Sequence, residues 1–306
     1  MSHRGRPKSG PEDQLSLKYL VGHLEKLLGK QIHFITDCIG KEVKEKSSSL
    51  TEGEVLLLEN LRFYKEEEAG DSTFAKQLSE LADVYINDAF GTAHRAHAST
   101  AVIAQFFAEK NFFGHLMTDE IQNIEKVLTN AQRPLTAVIG GAKVSSKITI
   151  ISELMKKVDH LIIGGGMAYT FAKAMGGEVG NSLVEDDKLS LALEIINSAK
   201  EKGVSLCLPT DSVNADTFSN NAKIITSSIN HIQEGFMGLD IGKETSANFS
   251  KVIKNSATIL WNGPMGVFEM DHFSNGTKAI ADAIVEATSK GAFSLIGGGD
   301  SVAAIT

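Results

Sequence analysis

Only two cysteines occur in the 306 residues, Cys38 and Cys207, far apart and without CxxC spacing. A disulfide framework and a zinc site are therefore not expected, and the pair reads as small buried thiols in a reducing, cytoplasmic setting. Basic residues are in deficit as well: 30 Lys and Arg stand against 38 Asp and Glu, a net charge of −8. Such a chain has no overall positive field for nucleic acid, and any phosphate-bearing ligand needs a local positive site. No apolar run approaches the ~18 residues that cross a bilayer, and the first residues lack a charged-then-apolar leader, so neither membrane nor export is indicated. The motifs GxxxxGK[ST] and GxGxxG are both missing. That argues against a P-loop NTPase and a standard dinucleotide fold, and so against an NAD-dependent oxidoreductase. Internal repeats and extended low-complexity segments are lacking too.

What is present is ordinary globular material, 42% hydrophobic and 22% charged, in a length that suits two domains of roughly 150 residues. Short apolar runs alternate with amphipathic stretches. Strands are expected at 31–36, 55–58 and 84–87, then at 135–139, 161–163, 204–208, 258–261 and 293–296. Helical patterns include 17–28, 74–81, 148–158, 189–202 and 277–288. Strands so uniformly apolar are those of a parallel sheet covered on both faces. Residues 117–128 read as one helix, with a break at Asn130–Pro134 before the next strand. The fold class expected is α/β, with two doubly wound parallel-sheet lobes joined by a helix.

In open parallel sheets ligands collect beyond the carboxyl ends of the strands. In the second half those turns are rich in glycine: Gly140-Gly141-Ala142-Lys143, Gly164-Gly165-Gly166-Met167, Asn262-Gly263-Pro264 and Gly297-Gly298-Gly299-Asp300-Ser301. One such turn is equally well a tight strand–helix connection; four in one lobe point to a phosphate cradle. Lys143 and Lys147 share a face at a helix start, where the dipole disfavours cations, so an anionic ligand is implied unless both are simply solvated. Asp300 is either a helix N-cap or a carboxylate that Mg²⁺ joins to phosphate oxygens. In the first third, Arg6, Arg62 and Arg95 lie near His3, His94 and His97. A guanidinium cluster suits a phosphate or carboxylate, although scattered arginines are also commonly solvated or ion-paired. The basic opening His3, Arg4, Arg6 and Lys8 is open to reading as a disordered tail.

The strings SHRGRPK, LLLENLRF, NDAFGTAHRAHAS, GGAKVSSKI, IGGGMAYTF, LPTDSV, ILWNGPMGVFE and IGGGDS follow one another in the order and approximate spacing of phosphoglycerate kinases of bacterial type. The chain resembles that family from its first residues to its last. The resemblance implies reversible phosphoryl transfer between 1,3-bisphosphoglycerate and MgADP, giving 3-phosphoglycerate and MgATP, by lobes that close and exclude water. It implies a cytoplasmic monomer with no nucleic-acid or membrane partner. Residues 1–116 would form the phosphoglycerate-binding lobe, 117–130 the joining helix and 131–306 the nucleotide-binding lobe. His3, Arg4, Gly5 and Arg6, with Arg62 and Arg95, would hold phosphoglycerate. Lys143, Lys147 and Gly298 would be catalytic. Gly141, Ala142, Lys147, Gly165, Phe218, Gly238, Asn262, Glu269, Gly298, Gly299, Asp300 and Ser301 would bind the nucleotide, Glu269 at the ribose and Asp300 through Mg²⁺.

The family pattern also has a segment before SHxGRP that carries a strand and a further Arg, and a TGGG-containing turn after GGGDS. Arg4 stands where SHxGRP usually has an apolar residue. On that pattern the first lobe is expected to be incomplete and the second to lack its end. Transfer by this polypeptide would then be at most a small residue of the family's, or the chain would be a nucleotide-binding remnant that holds ADP or ATP without catalysis.

Overall fold

Each expected strand forms around a run of residues that the chain then covers, in a computed structural model that describes residues 1–8 and 10–305. The chain divides into two units, Met1–Gln122 and Asn123 onward. The first holds, in chain order, α1 (Val21–Leu28), β1 (Ile32–Phe34), α2 (Lys41–Ser48), β2 (Val55–Leu57), α3 (Lys65–Ala69), α4 (Ser72–Ser79), β3 (Tyr85–Asn87) and β4 (Asn111–Phe113). Helix α5 (His115–Leu128) follows, and the division of units falls inside it. The N-terminal part of the expected 17–28 helix is instead a 3-10 turn, Leu17–Leu20, whose Ser16 hydroxyl accepts the Lys18 amide. Asp71 caps α4, its carboxylate accepting the Phe74 amide at 2.7 Å, a contact worth about 1 kcal/mol. The capped helix packs Phe74 and Leu78 against Leu61, Tyr85 and Ile103. The strands of this unit are parallel, as expected, but they pair two and two, β1 with β2 and β3 with β4, and not as one sheet. Ile86, Phe112 and Phe113 are left exposed.

The second unit continues with β5 (Leu135–Ile139), α6 (Ile148–Leu154), β6 (His160–Ile163), α7 (Met167–Ala174), β7 (Glu178–Val179), α8 (Leu189–Glu201) and β8 (Ser205–Cys207). After these come β9 (Asp211–Ala215), β10 (Ile224–Ser228), β11 (His231–Ile232), β12 (Met237–Ile241), α9 (Lys243–Lys254), β13 (Thr258–Asn262), α10 (Asn275–Ser289), β14 (Phe293–Gly297) and α11 (Gly299–Ala303). Its central sheet runs β14-β13-β5-β6-β8, every pairing parallel. All five residues of β5 are buried, which requires cover on both faces. Ala137, Ile139, Leu161 and Ile163 face Ile151, Phe171 and Ile195 of α6, α7 and α8. Val138, Ile162, Ile259 and Trp261 face Phe249 of α9 and Ile280 of α10. This unit is doubly wound. Strand order reverses between β5 and β13, and there the helices leave toward opposite faces and open a crevice. A second sheet, β10-β9-β12, is antiparallel. No strand was expected over 211–241, and the reason is its polarity: Ser212 and Asn214 are fully buried, so the strand lacks an apolar run.

Candidate functional site

The crevice between β5 and β13 is built by backbone meeting backbone. A Cβ on Gly140 would lie 2.1 Å from the Pro264 carbonyl oxygen, and one on Gly263, at φ +100, would lie 2.3 Å from that of Gly140. Any side chain there would push the strand ends apart. The Gly140 and Gly141 amides donate to the Asn262 and Pro264 carbonyls at 2.9 and 3.1 Å, and the Gly263 amide donates to Ser301 Oγ at 2.6 Å. These amides hold the crevice together and do not face a ligand. The glycines of those turns are thus explained by close packing as much as by phosphate, and the Ser301 side chain is buried in the structure of the turn. Gly298, at φ +92, opens the turn into α11.

Lys147 reaches this crevice. Its Nζ donates to Asn262 Oδ1 at 2.5 Å, and a Cβ on Gly298 would lie 3.3 Å from Asn262 Nδ2. The structure therefore brings Lys147, Asn262 and Gly298 together. Lys143 is exposed, and its carbonyl accepts the Ser146 hydroxyl at 2.8 Å.

A cavity of about 690 Å³ opens from the same place, a size suited to a nucleotide-scale ligand. Gly141, Ala142, Gly165 and Asp300 line one end. Tyr169, Met237, Gly238, Leu239, Val267, Phe268 and Met270 line the apolar end, with Phe218 and Glu269 on the wall. Gly238 is fixed on both sides: its amide donates to Ser182 Oγ at 2.9 Å, and a Cβ would strike the Tyr169 ring at 2.2 Å. The Tyr169 hydroxyl shares a 2.8 Å hydrogen bond with Ser212. Behind this wall Asp240 accepts the Gly276 and Ile241 amides at 2.7 and 2.9 Å. Burial pushes its carboxyl up to about 7 despite those two bonds. Sequence reasoning missed Tyr169, Ser182 and Asp240, whose roles depend on contacts made across the chain.

In the first unit the segment 1–6 is pinned to the strand-end turn after β2. The Leu61 amide donates to the Ser2 carbonyl at 3.1 Å, Asn60 Nδ2 to the Arg4 carbonyl at 2.8 Å, and one Arg62 terminal nitrogen to the Gly5 carbonyl at 2.8 Å. The opening is not a detached tail. Arg62 Nε is buried and, among the described residues, has no hydrogen-bond partner, although Glu68 Oε1 lies 3.4 Å away. The same Glu68 oxygen is 3.9 Å from Arg95, and Arg95 Nε donates to His94 Nε2 at 3.1 Å. His3 titrates below its ordinary range, first through burial and then through the nearby charge of Arg62, with His97 and Arg95 adding to it. His3, Arg62, Arg95 and His97 thus form one cluster whose positive charge comes from the two guanidinium groups, while Arg4 and Arg6 are exposed. Glu67 and Glu68, which organise the cluster, were missed because an acidic run reads as solvated surface.

Among the described residues no group of three metal-binding side chains occurs, and no helix is long and apolar enough to cross a membrane. Asp300, at the glycine-lined end of the cavity wall, fits a magnesium ion that takes its other ligands from nucleotide phosphates and water.

Comparison with known proteins agrees with this geometry. A family model described as phosphoglycerate kinase matches residues 1–306. The phosphoglycerate kinase of Porphyromonas gingivalis is 51% identical over 99% of this chain and 78% of its own length. A cytosolic phosphoglycerate kinase of Triticum aestivum is 51% identical over 99% of this chain and 75% of its own. A chloroplastic one from Volvox carteri, 52% identical, is matched over 66% of its length. The structure of phosphoglycerate kinase from Coxiella burnetii superposes with a TM-score of 0.86 at 40% identity, over 99% of this chain and 76% of that one. The chain belongs to the phosphoglycerate kinase family, phosphotransferases that act on a nucleotide and a phosphoglycerate.

Proposed function

We propose that the chain performs the family's reversible transfer between 1,3-bisphosphoglycerate and MgADP with the nucleotide in the cavity of the second unit. The base enters the apolar end beside Gly238 and Phe218, Glu269 receives the ribose hydroxyls, and the phosphates point toward Gly141, Ala142, Gly165, Asn262 and the Gly298–Ser301 turn. Asp300 holds the magnesium ion, which supplies charge neutralisation on the phosphates when bound. Lys143 and Lys147 meet the phosphoryl group in transit, and their positive charge favours the state in which negative charge is most spread. The observation that carries this reading is the Lys147 ammonium on Asn262, beside Gly298, where the central sheet reverses.

Phosphoglycerate is assigned to the first unit, its anionic groups on His3, Arg62 and Arg95 with the backbone of Gly5 behind them and Arg4 and Arg6 at the edge. The buried Nε of Arg62, which has no hydrogen-bond partner among the described residues and only a 3.4 Å ion-pair contact with Glu68, favours it, since such a donor gains from an anion that meets it. We take 1–116 as the phosphoglycerate lobe, 117–130 as the joining helix and 131–306 as the nucleotide lobe, in a cytoplasmic monomer. ATP formed from 1,3-bisphosphoglycerate and MgADP provides the test. Lys147→Ala and Arg62→Ala should each lower the rate by about a hundredfold relative to the unaltered chain; a rate unchanged by either substitution overturns the assignment.

A further inference from the structure

The segment Asn181–Glu185 runs along the cavity proposed for the nucleotide. Asn181 and Leu183 line it, while the buried Ser182 accepts the Gly238 amide at the apolar end. At the other end the Glu185 carboxylate grips Ser145, which lies midway between Lys143 and Lys147. Its Oε2 accepts the Ser145 amide at 3.0 Å and its Oε1 the Ser145 hydroxyl at 2.5 Å. Glu185 is itself held, its amide donating at 3.1 Å to Thr170 Oγ1, a buried side chain of α7.

The loop that Glu185 grips is otherwise anchored at two points, the buried Val144 and the hydrogen bond from Lys147 to Asn262. Among residues 142–147 only Val144 is buried. The two lysines repel one another and the positive end of α6, so without its carboxylate partner the exposed part of the loop has reason to shift about those anchors. Burial alone would push the Glu185 carboxyl up, but the Ser145 hydroxyl and the Ser145 and Val144 amides hold it below the usual range. It is therefore an acceptor at neutral pH.

We propose that Glu185 is a positioning residue that holds the 142–147 loop so that Lys143 and Lys147 face the nucleotide phosphates. With Ser182 at the apolar end, residues 181–185 form a strap that couples the two ends of the nucleotide site. The inference rests on the assignment of the lysines to the phosphates given above.

The test is calorimetric titration of the whole chain with MgATP and, separately, with adenosine, which reaches the base and ribose subsites alone. Glu185→Ala is expected to bind MgATP about tenfold more weakly while adenosine changes by less than about twofold. A structural role alone would weaken both alike. Glu185→Gln keeps an acceptor for the Ser145 amide and gains a donor for its hydroxyl, so MgATP affinity should return to within about twofold of the original. MgATP binding by Glu185→Ala as tight as the original, in a series where Lys147→Ala is weakened, overturns the proposal. Equal losses on adenosine and MgATP overturn it as well, as does a Glu185→Gln variant no better than Glu185→Ala. If Lys147→Ala itself leaves MgATP affinity unchanged, the lysine assignment fails and the strap fails with it. Should Glu185→Ala not fold, Ser145→Ala decides, because it removes only an exposed hydroxyl. About a threefold loss on MgATP and none on adenosine is expected, and no loss on MgATP contradicts the proposal.

Discussion

Arg62 shows how one side chain joins fold to function. Its terminal nitrogen holds the Gly5 carbonyl, which fixes the opening of the chain, while its buried Nε, 3.4 Å from Glu68 and without a hydrogen bond among the described residues, is proposed to meet the ligand. A hydrogen bond to a charged group contributes about 1.5–3 kcal/mol. Arg62→Ala should therefore weaken 3-phosphoglycerate binding by about 10- to 100-fold, as titration would measure; affinity within twofold of the original would remove Arg62 from the site. Asp240 is a second such residue, and its effect is on stability. Its folded value, raised from 3.8 to about 7, means that the folded state holds the proton more tightly than the unfolded one. The stabilising contribution is whole below about pH 4 and is lost as pH rises through about 7, a span on the order of 4 kcal/mol. Asp240→Asn carries no proton to lose, so its unfolding free energy should lack that part of the fall between pH 4 and 7. Parallel pH profiles for the two chains would contradict the burial argument. At this scale the sequence was legible where charge stood out of place. Lys147 at a helix start points to an anion, which remains a proposal, whereas Glu185 in Glu185-Asp186-Asp187-Lys188 reads like any solvated acid. Only its hydrogen bonds to Ser145 distinguish it.

At the scale of elements, the central strands were readable because five consecutive buried residues in β5 demand apolar side chains. The antiparallel sheet was not, because β9 buries Ser212 and Asn214 through partners distant in sequence, Tyr169 and Ser227. The glycine turns were located correctly, but their physical cause is partly different from the expected one. Gly140, Gly141 and Gly263 let strand ends meet and use their amides within the protein. Gly140→Ala would place a Cβ against the Pro264 carbonyl, which cannot move without shifting β13 relative to β5. A loss of about 2 kcal/mol or more is expected in denaturant unfolding, together with weaker MgADP binding; a stability within 0.5 kcal/mol (about the scatter of surface substitutions) would show that the crevice is more pliable than its contacts indicate. Asp71→Ala, which removes the α4 cap in the first unit, should cost about 1 kcal/mol and leave nucleotide affinity unchanged.

For the whole molecule, an acidic chain of net charge −8 binds anions only where local structure concentrates positive charge. Two places are proposed for this, one in each unit: the Arg62–Arg95 cluster beside His3 and the Lys147 end of the cavity. The sequence offers the first as one of two readings of those arginines, which the family likeness then favours. It offers the second on physical grounds, through turns, lysines and strand ends. Titration of MgADP into the whole chain and into Lys147→Ala tests the account most directly. Saturable binding by the unaltered chain, weakened about tenfold or more by the substitution, is the predicted result. No binding by either, or equal binding by both, would contradict the placement of the nucleotide phosphates.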